Sequence, residues 1–306
     1  RKLTDQEANQ IIDHGFRVDV PLLVIKLLSP VDMLITAPDG KKIGKNFDSG
    51  FEINQIDGAF YSGFETDNEY ITIPHPIDGE YKVTVQGTGS GAYTVSVGYL
   101  SDRGAQESEF SGVTAPAVEV PLRLTLEAGA SDPPTLEAVD QTPSQVAIIS
   151  PEPKDYPRSL ALPIDVLITD NESGLYSQEI RFDDNIVNNG DNIDLFFEKL
   201  GNHAVRVQAT DFAGNVASTS VAFRVIATFE STLSDIDRAA ALGWIKNNKF
   251  KQALKATIIA ASKLRGKAQK AVLVAFLIEV ESQRGKNLTE LAYQILREDG
   301  RWLLKH

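Results

Sequence analysis

Apolar and polar residues alternate with a period of two over most of the chain, then change to helical spacing near its end. "PLLVIKLL", "DMLITAP", "EYITIP", "EYKVTVQG", "AYTVSVGYL" and "VEVPLRLTLEA" are short runs rich in β-branched or aromatic residues. Asp39-Gly40, Asp57-Gly58, Asp78-Gly79 and other Gly-containing turns separate them. Alternation at this period buries one face of each run, so the pattern predicts an antiparallel β-sandwich. Pro74, Pro76 and Pro121 lack a ladder N–H and suit its edges. Ahead of these strands, Thr4 and Glu7 have capping-box spacing and Gly15 offers a stop, which predicts a short helix.

Residues 129–145, "GASDPPTLEAVDQTPSQ", read as a linker. "QVAIIS", "LPIDVLITD", "GLYSQEIRFD", "DNIDLFF", "HAVRVQATD" and "VASTSVAFRVIA" follow, with the size and turn rhythm of an immunoglobulin-like sandwich. From residue 229 the spacing is helical. Ser234 is a candidate N-cap with Gly243 as the stop, and Asn247 or Asn248 caps a second helix that aligns Phe250, Leu254, Ile258, Ala261 and Leu264. Val272, Phe276 and Val280 mark a third helix, and Leu291, Ile295 and Trp302 are the expected inward positions of a fourth. Short helices must bury their stripes on one another, so the tail is expected to be a bundle. The expected organisation is a helix plus sandwich over 1–128, a linker over 129–145, an Ig-like sandwich over 146–228 and an all-α bundle over 229–306.

Charge refines this division. The 306 residues carry a net charge of -12, yet the stretch Ser231 to His306 holds 14 of the 30 Lys and Arg and only 7 of the 42 Asp and Glu. The tail is therefore near +7 and the remainder near -19. An acidic body repels phosphates and the tail's lysines lack interleaved aromatics, which argues against a nucleic-acid partner. The apolar run Ala271 to Ile278 falls far short of the roughly 20 residues of a membrane span. With no cysteine, disulfides, thiolate zinc sites and a Cys nucleophile are excluded. Position 1 is Arg and the one methionine is Met33, so a leader or a whole domain is expected upstream.

Candidate chemistry is sparse. A Gly-x-Ser-x-Gly elbow is absent, and His14, His75, His203 and His306 are far apart in sequence. "GTGSGAY" lacks the Lys-Ser/Thr of a phosphate loop and precedes a strand, so it reads as a hairpin turn. "DDNIVNNGDNID" fails the EF-hand spacing, since with Gly190 at the sixth position the third falls on Val187 and the twelfth on Phe196. Hard oxygen ligands in neighbouring sandwich loops, Asp170, Asn171, Glu172 and Asp211, form a candidate Ca2+ site; the alternative is that they are turn formers. Phe60, Tyr61 and Phe64 are candidates for a docking platform or for closing the sandwich mouth, and Trp302 is a further candidate interaction residue.

"LGWIKNNKFKQALKATIIAASKL" and "AFLIEVESQRGKNLTELAYQIL" resemble the FIMAH helical module found at the ends of secreted bacterial proteins, through Gly243, Ile245, Asn247, Ala275, Phe276, Leu277, Val280, Gln283, Gly285 and Lys286. Asn248 stands where the module usually has Lys, and Leu277 where it has Ile. "IDVLITDNESGL" with "HAVRVQATDFAGNVAS" resembles bacterial Ig-like modules. The first strands, through "GEYKVTVQGTGSGAYTV", are similar to a sandwich module that follows α/β-hydrolase-type domains. These resemblances imply a non-catalytic, extracellular, multi-module region, and with the missing catalytic groups the expected role is adhesion, spacing or assembly with a protein or extracellular polymer as partner. The acidic body and basic tail are complementary, so a homo-oligomer or head-to-tail filament is a further expected arrangement. The resemblances also allow an accessory polymer-binding region of a secreted hydrolase whose catalytic domain lies before Arg1.

Overall fold

The structure is a computed structural model that describes residues 21–28, 30–66, 68–127 and 132–306. The short helix expected around Thr4 to Gly15, with His14, lies outside the described residues. It is mostly antiparallel β-sheet with four C-terminal helices. Contacts divide the chain into two compact units.

The first unit comprises the described residues up to Gln145, with Thr169–Ser177 and Ala209–Ala217. Its main strands are β1 (Leu22–Leu28), β2 (Val31–Thr36), β3 (Lys42–Lys45), β4 (Glu52–Asn54), β5 (Phe60–Tyr61), β6 (Asn68–Pro74), β7 (Gly79–Gly87), β8 (Gly91–Ser101), β9 (Gly104–Thr114), β10 (Glu119–Leu126) and β11 (Thr135–Ala138). One sheet has the order β5-β6-β1-β8-β9 and the other β11-β10-β7-β2-β3-β4. Alternation does what the sequence implies: in β1, Leu23, Ile25 and Leu27 are fully buried while their neighbours are half-buried. Met33, Ile35, Val83 and Val85 from the second sheet belong to the same core. Burying each such side chain contributes about 1.5–3 kcal/mol before chain entropy is counted. Gly44 sits at φ +124, where an added Cβ would fall 2.3 Å from the Met33 carbonyl oxygen, so only glycine allows β3 this close to β2.

Two strands depart from the expected pattern. Thr135–Ala138 lies inside the stretch read as a linker, yet it pairs with Leu122–Thr125 as an edge strand. β9 has few apolar positions and is held by eleven consecutive pairings with β8, from Gly91↔Thr114 to Ser101↔Gly104.

The second unit comprises Val146–Ile168, Gln178–Gln208 and Ser218–His306. Further strands are β12 (Gln145–Ser150), β13 (Asp155–Pro157), β14 (Ala161–Pro163), β15 (Asp165–Thr169), β16 (Leu175–Phe182), β17 (Asn185–Val187), β18 (Asn192–Asp194), β19 (Gly201–Asp211) and β20 (Val216–Ile226). The largest sheet here runs β13-β20-β19-β16-β17, with β12-β15 and β14-β18 as two-stranded sheets. Leu162, Ile164, Phe182, Val205, Phe223 and Val225 lie in its core.

The helices are α1 (Phe229–Ala241), α2 (Asn248–Ser262), α3 (Gly266–Ser282) and α4 (Glu290–Lys305). Helix α1 starts earlier than Ser234 suggests, because Thr228 and Ser231 form a reciprocal capping box. Ser234 lies inside the helix, with its hydroxyl donating to the Glu230 carbonyl at 3.1 Å. Asn247 caps α2, its Oδ1 accepting from the Lys249 and Phe250 N–H groups. Helix α4 is rotated from the expected face: Ala292, Tyr293, Leu296 and Gly300 are buried, Leu291 is 52% exposed, and Ile295 and Trp302 are half-buried. Phe196, from the 3-10 turn Leu195–Phe197, enters the bundle core and stacks on Trp244 with centroids 5.8 Å apart. Among the described residues no helix is long and apolar enough to cross a membrane.

Candidate metal centre

Loop residues gather a carboxylate cluster in the first unit. Asp170 follows β15 and Asp211 ends β19, at the loop positions the sequence predicts. The third member is Asp140, two residues past β11, which the linker reading of this stretch hid. One oxygen from each of Asp140, Asp170 and Asp211 lies within 4.8 Å of the others. Asp140 and Asp211 are buried and Asp170 is half-buried.

Local hydrogen bonds fix each carboxylate in place. Thr142 N–H donates to Asp140 Oδ1 at 2.8 Å and Ser173 N–H to Oδ2 at 3.1 Å. Asp170 Oδ1 accepts from the Glu172 and Gly174 N–H groups, and its Oδ2 accepts from the Ser144 hydroxyl at 3.0 Å. Asn215 caps Asp211 through both its backbone and its side-chain N–H groups. These are the turn-forming roles that Asp residues commonly take. They leave lone pairs over, since an ionised carboxylate has about four acceptor sites. Burial pushes Asp140 upward, but hydrogen bonds from Ser173 and Thr142 outweigh it and hold the carboxyl below its usual range. It is therefore ionised at neutral pH, as a metal ligand must be.

The donor set is all oxygen, and no described Lys, Arg or His forms an ion pair with these three aspartates. Oxygens bound to one Ca2+ at about 2.4 Å can be at most about 4.8 Å apart, which the cluster satisfies. Asp140, Asp170 and Asp211 thus fit a hard divalent cation. No protein-family model matches this chain, and neither does any curated protein.

The other expected ligands take outer positions. Glu172 is exposed beside Asp140, and its hydrogen bond to that carboxyl, followed by the charge of Asp140, raises its pKa. Asn171 is exposed on the same turn. With Thr142, Pro143, Gln145, Thr169 and Asp170, both line a cavity of about 140 Å³.

The aromatic candidates separate. Phe60 is 59% exposed, whereas Tyr61 is buried in the sandwich core and donates to Glu69 Oε2 at 2.7 Å. Tyr61 is therefore closed to a docking partner: β5 has only two residues, and alternation turns the second inward. Phe64 is half-buried against the core beneath Lys45, whose Nζ lies 4.6 Å from its ring centre. Trp302 stacks on His306 at 4.2 Å and shares a cavity with Phe229, Arg265 and Gln269. His203 is buried between Asp183 Oδ2 and the Lys199 carbonyl, both at 2.8 Å, and stacks on Phe182. His75 is exposed at φ 49.

Proposed function

We propose that this chain is a non-catalytic segment of a secreted or cell-surface protein, serving adhesion, spacing or assembly, with a Ca2+ ion closing the loops of its first unit. The observation that carries this reading is the meeting of Asp140, Asp170 and Asp211 from three separate stretches of chain. A cation held there would join those stretches and neutralise like charges that otherwise repel.

The FIMAH-type reading of the tail is supported by what its motif residues do. Gly243 adopts φ +73 just after α1, Asn247 caps α2, and Phe276 and Val280 are fully buried. Gly285 takes φ +71 in the turn after α3. The same motif suits a terminal module of a larger extracellular assembly, and the basic tail and acidic remainder suit head-to-tail contacts between copies.

The test is thermal unfolding of chelator-treated protein with and without added Ca2+. A ligand that binds the folded state at tenfold excess over its Kd stabilises it by about 1.4 kcal/mol. Millimolar Ca2+ is expected to raise Tm in the parent chain and not in Asp170→Asn, whose side chain keeps its shape but loses its charge. An unchanged Tm in the parent chain removes the calcium reading.

A further inference from the structure

The second unit contains a cluster of buried charged side chains, Arg158, Asp235 and Asp299. Arg158 lies in the turn between β13 and β14 and is 1% exposed. Its Nε and Nη2 donate to the Glu198 carbonyl at 3.1 and 2.7 Å. Its Nη1 donates to Asp299 Oδ1 at 2.8 Å and to the Ile295 carbonyl at 3.3 Å, both on α4. Nη2 also pairs with Glu298, which is 39% exposed and whose Oε1 accepts from Leu200 N–H. One guanidinium therefore joins the β13–β14 turn, the 3-10 turn and the last helix.

Behind this arrangement lies Asp235 of α1. It is fully buried, and among the described residues neither of its oxygens has a hydrogen-bond donor; Asp299 is fully buried too, and its Oδ2 also lacks one among them. The two side chains are within hydrogen-bonding reach of each other. Two carboxylates can bond only through a proton, and one buried cation can neutralise only one of them. A proton on Asp235 donated to Asp299 Oδ2 gives that oxygen its partner and engages one of the two Asp235 oxygens.

We propose that Asp235 and Asp299 share one buried proton and, with Arg158, form a pH-governed latch that ties α1 and α4 to the β13–β14 turn and loosens when the proton is lost. Among the described residues, the surrounding charges leave Asp235 no cation of its own. On α1, Arg238 is engaged by Asp194 of β18, and Asp237 faces away toward Lys251 and Lys255 of α2. On α4 the near groups are Asp299 and Glu298, and beyond Arg158 stands Glu198, raised by burial, with His203 and Asp183 behind it. Burial first, and the neighbouring Asp299 second, push Asp235 above the usual carboxylate range. Arg158 opposes the effect of burial at Asp299.

The sign follows from linkage. In the unfolded chain these aspartates ionise near pH 4, whereas the folded pair retains a proton to higher pH. Stability from this pair is fully present at low pH and is lost as pH rises through the pair's raised pKa. Over that window unfolding releases about one proton, a tenfold fall in the folding constant per pH unit.

The experiment is denaturation of the whole chain between about pH 5 and about pH 9, followed by fluorescence of Trp244 and Trp302, the two tryptophans, which both lie in the bundle. Asp235→Asn keeps a donor toward Asp299 and cannot ionise, so its pH slope is expected to be shallower than the parent's by about one proton. Equal slopes overturn the latch. If the variant does not fold, carbon-13 labelling of aspartate in the parent chain decides: a buried pair with one proton still bound above about pH 6 upholds the proposal, and titration of both below about pH 5 refutes it.

Discussion

Single residues in this protein gain their meaning from burial that sequence spacing does not show. Glu69 on β6 is 1% exposed, opposite Leu27 of β1, where alternation alone would place a hydrophobe. Tyr61 donates to its Oε2, while Oε1 has no partner unless it carries the proton and donates to the neighbouring Asp32. Asp32 is held by Lys45 at 2.6 Å. Burial pushes Glu69 up to about 8, against the lowering effect of the Tyr61 hydroxyl. Its contribution to stability is thus present below about pH 4 and declines as pH rises toward 8. Glu69→Gln keeps the acceptor for Tyr61 and removes the ionisation. We expect it to stabilise the first unit at pH 8 and above by on the order of a few kcal/mol, and to change little near pH 4, as read by denaturant midpoints. A variant less stable than the parent at both pH values would show that packing, not charge, governs this site. Asp140 teaches the same lesson: its neighbours "TLEAVDQTPSQ" have turn-like composition, and only the pairing of Thr135–Ala138 with β10 brings its carboxyl to Asp170 and Asp211.

Among elements, those with a strong local pattern were legible and those held by their neighbours were not. β1, β7 and β8 carry near-perfect alternation, and α2 carries its Asn247 cap with Leu254, Ile258 and Ala261 on one face. β9 has no such pattern and exists through pairing with β8. Helix α4 shows how packing selects a face. An added Cβ at Gly300 would lie 2.7 Å from Leu277 Cδ2 and 2.9 Å from Phe276 Cδ1, so the absence of a side chain lets α4 press against α3. Periodicity could not reveal that a glycine rather than Leu291 marks the inward face. Gly300→Ala gains helix propensity but forces those side chains to move. Overpacking of this kind costs about 1–3 kcal/mol and propensity returns about 1 kcal/mol, so a net loss of stability is expected. A stabilised variant in thermal unfolding would contradict the close packing of α3 and α4.

At the scale of the molecule, charge separation is the feature with consequences for partners. Lys263, Lys267 and Lys270, around the α2–α3 turn, are exposed and form no ion pair among the described residues. If copies associate head to tail, light scattering should detect assembly at low salt that declines at high salt, because exposed charges are screened beyond about 10 Å at 0.1 M. Replacing the three lysines by Glu should abolish it. Assembly that survives both changes would place the contact on apolar surface instead, with the exposed Phe60 the first residue to mutate.

The fold class follows from local spacing: period-two runs broken by Asp-Gly turns require sheets with one buried face, and the later helical spacing requires a bundle. The charge division, the lack of thiol chemistry and the turn locations of Asp170 and Asp211 follow from the sequence too, because each of these is a property of composition or short-range spacing. Tertiary structure decided which residues far apart in the chain meet. It brought Asp140 into the carboxylate cluster, set Arg158 against Asp299 across a separation of 141 positions, sent Phe196 into the helical core and turned Tyr61 inward. The physical reason is that local spacing specifies which face of an element is apolar, whereas the partners of a buried polar group depend on how those faces pack and where water is excluded.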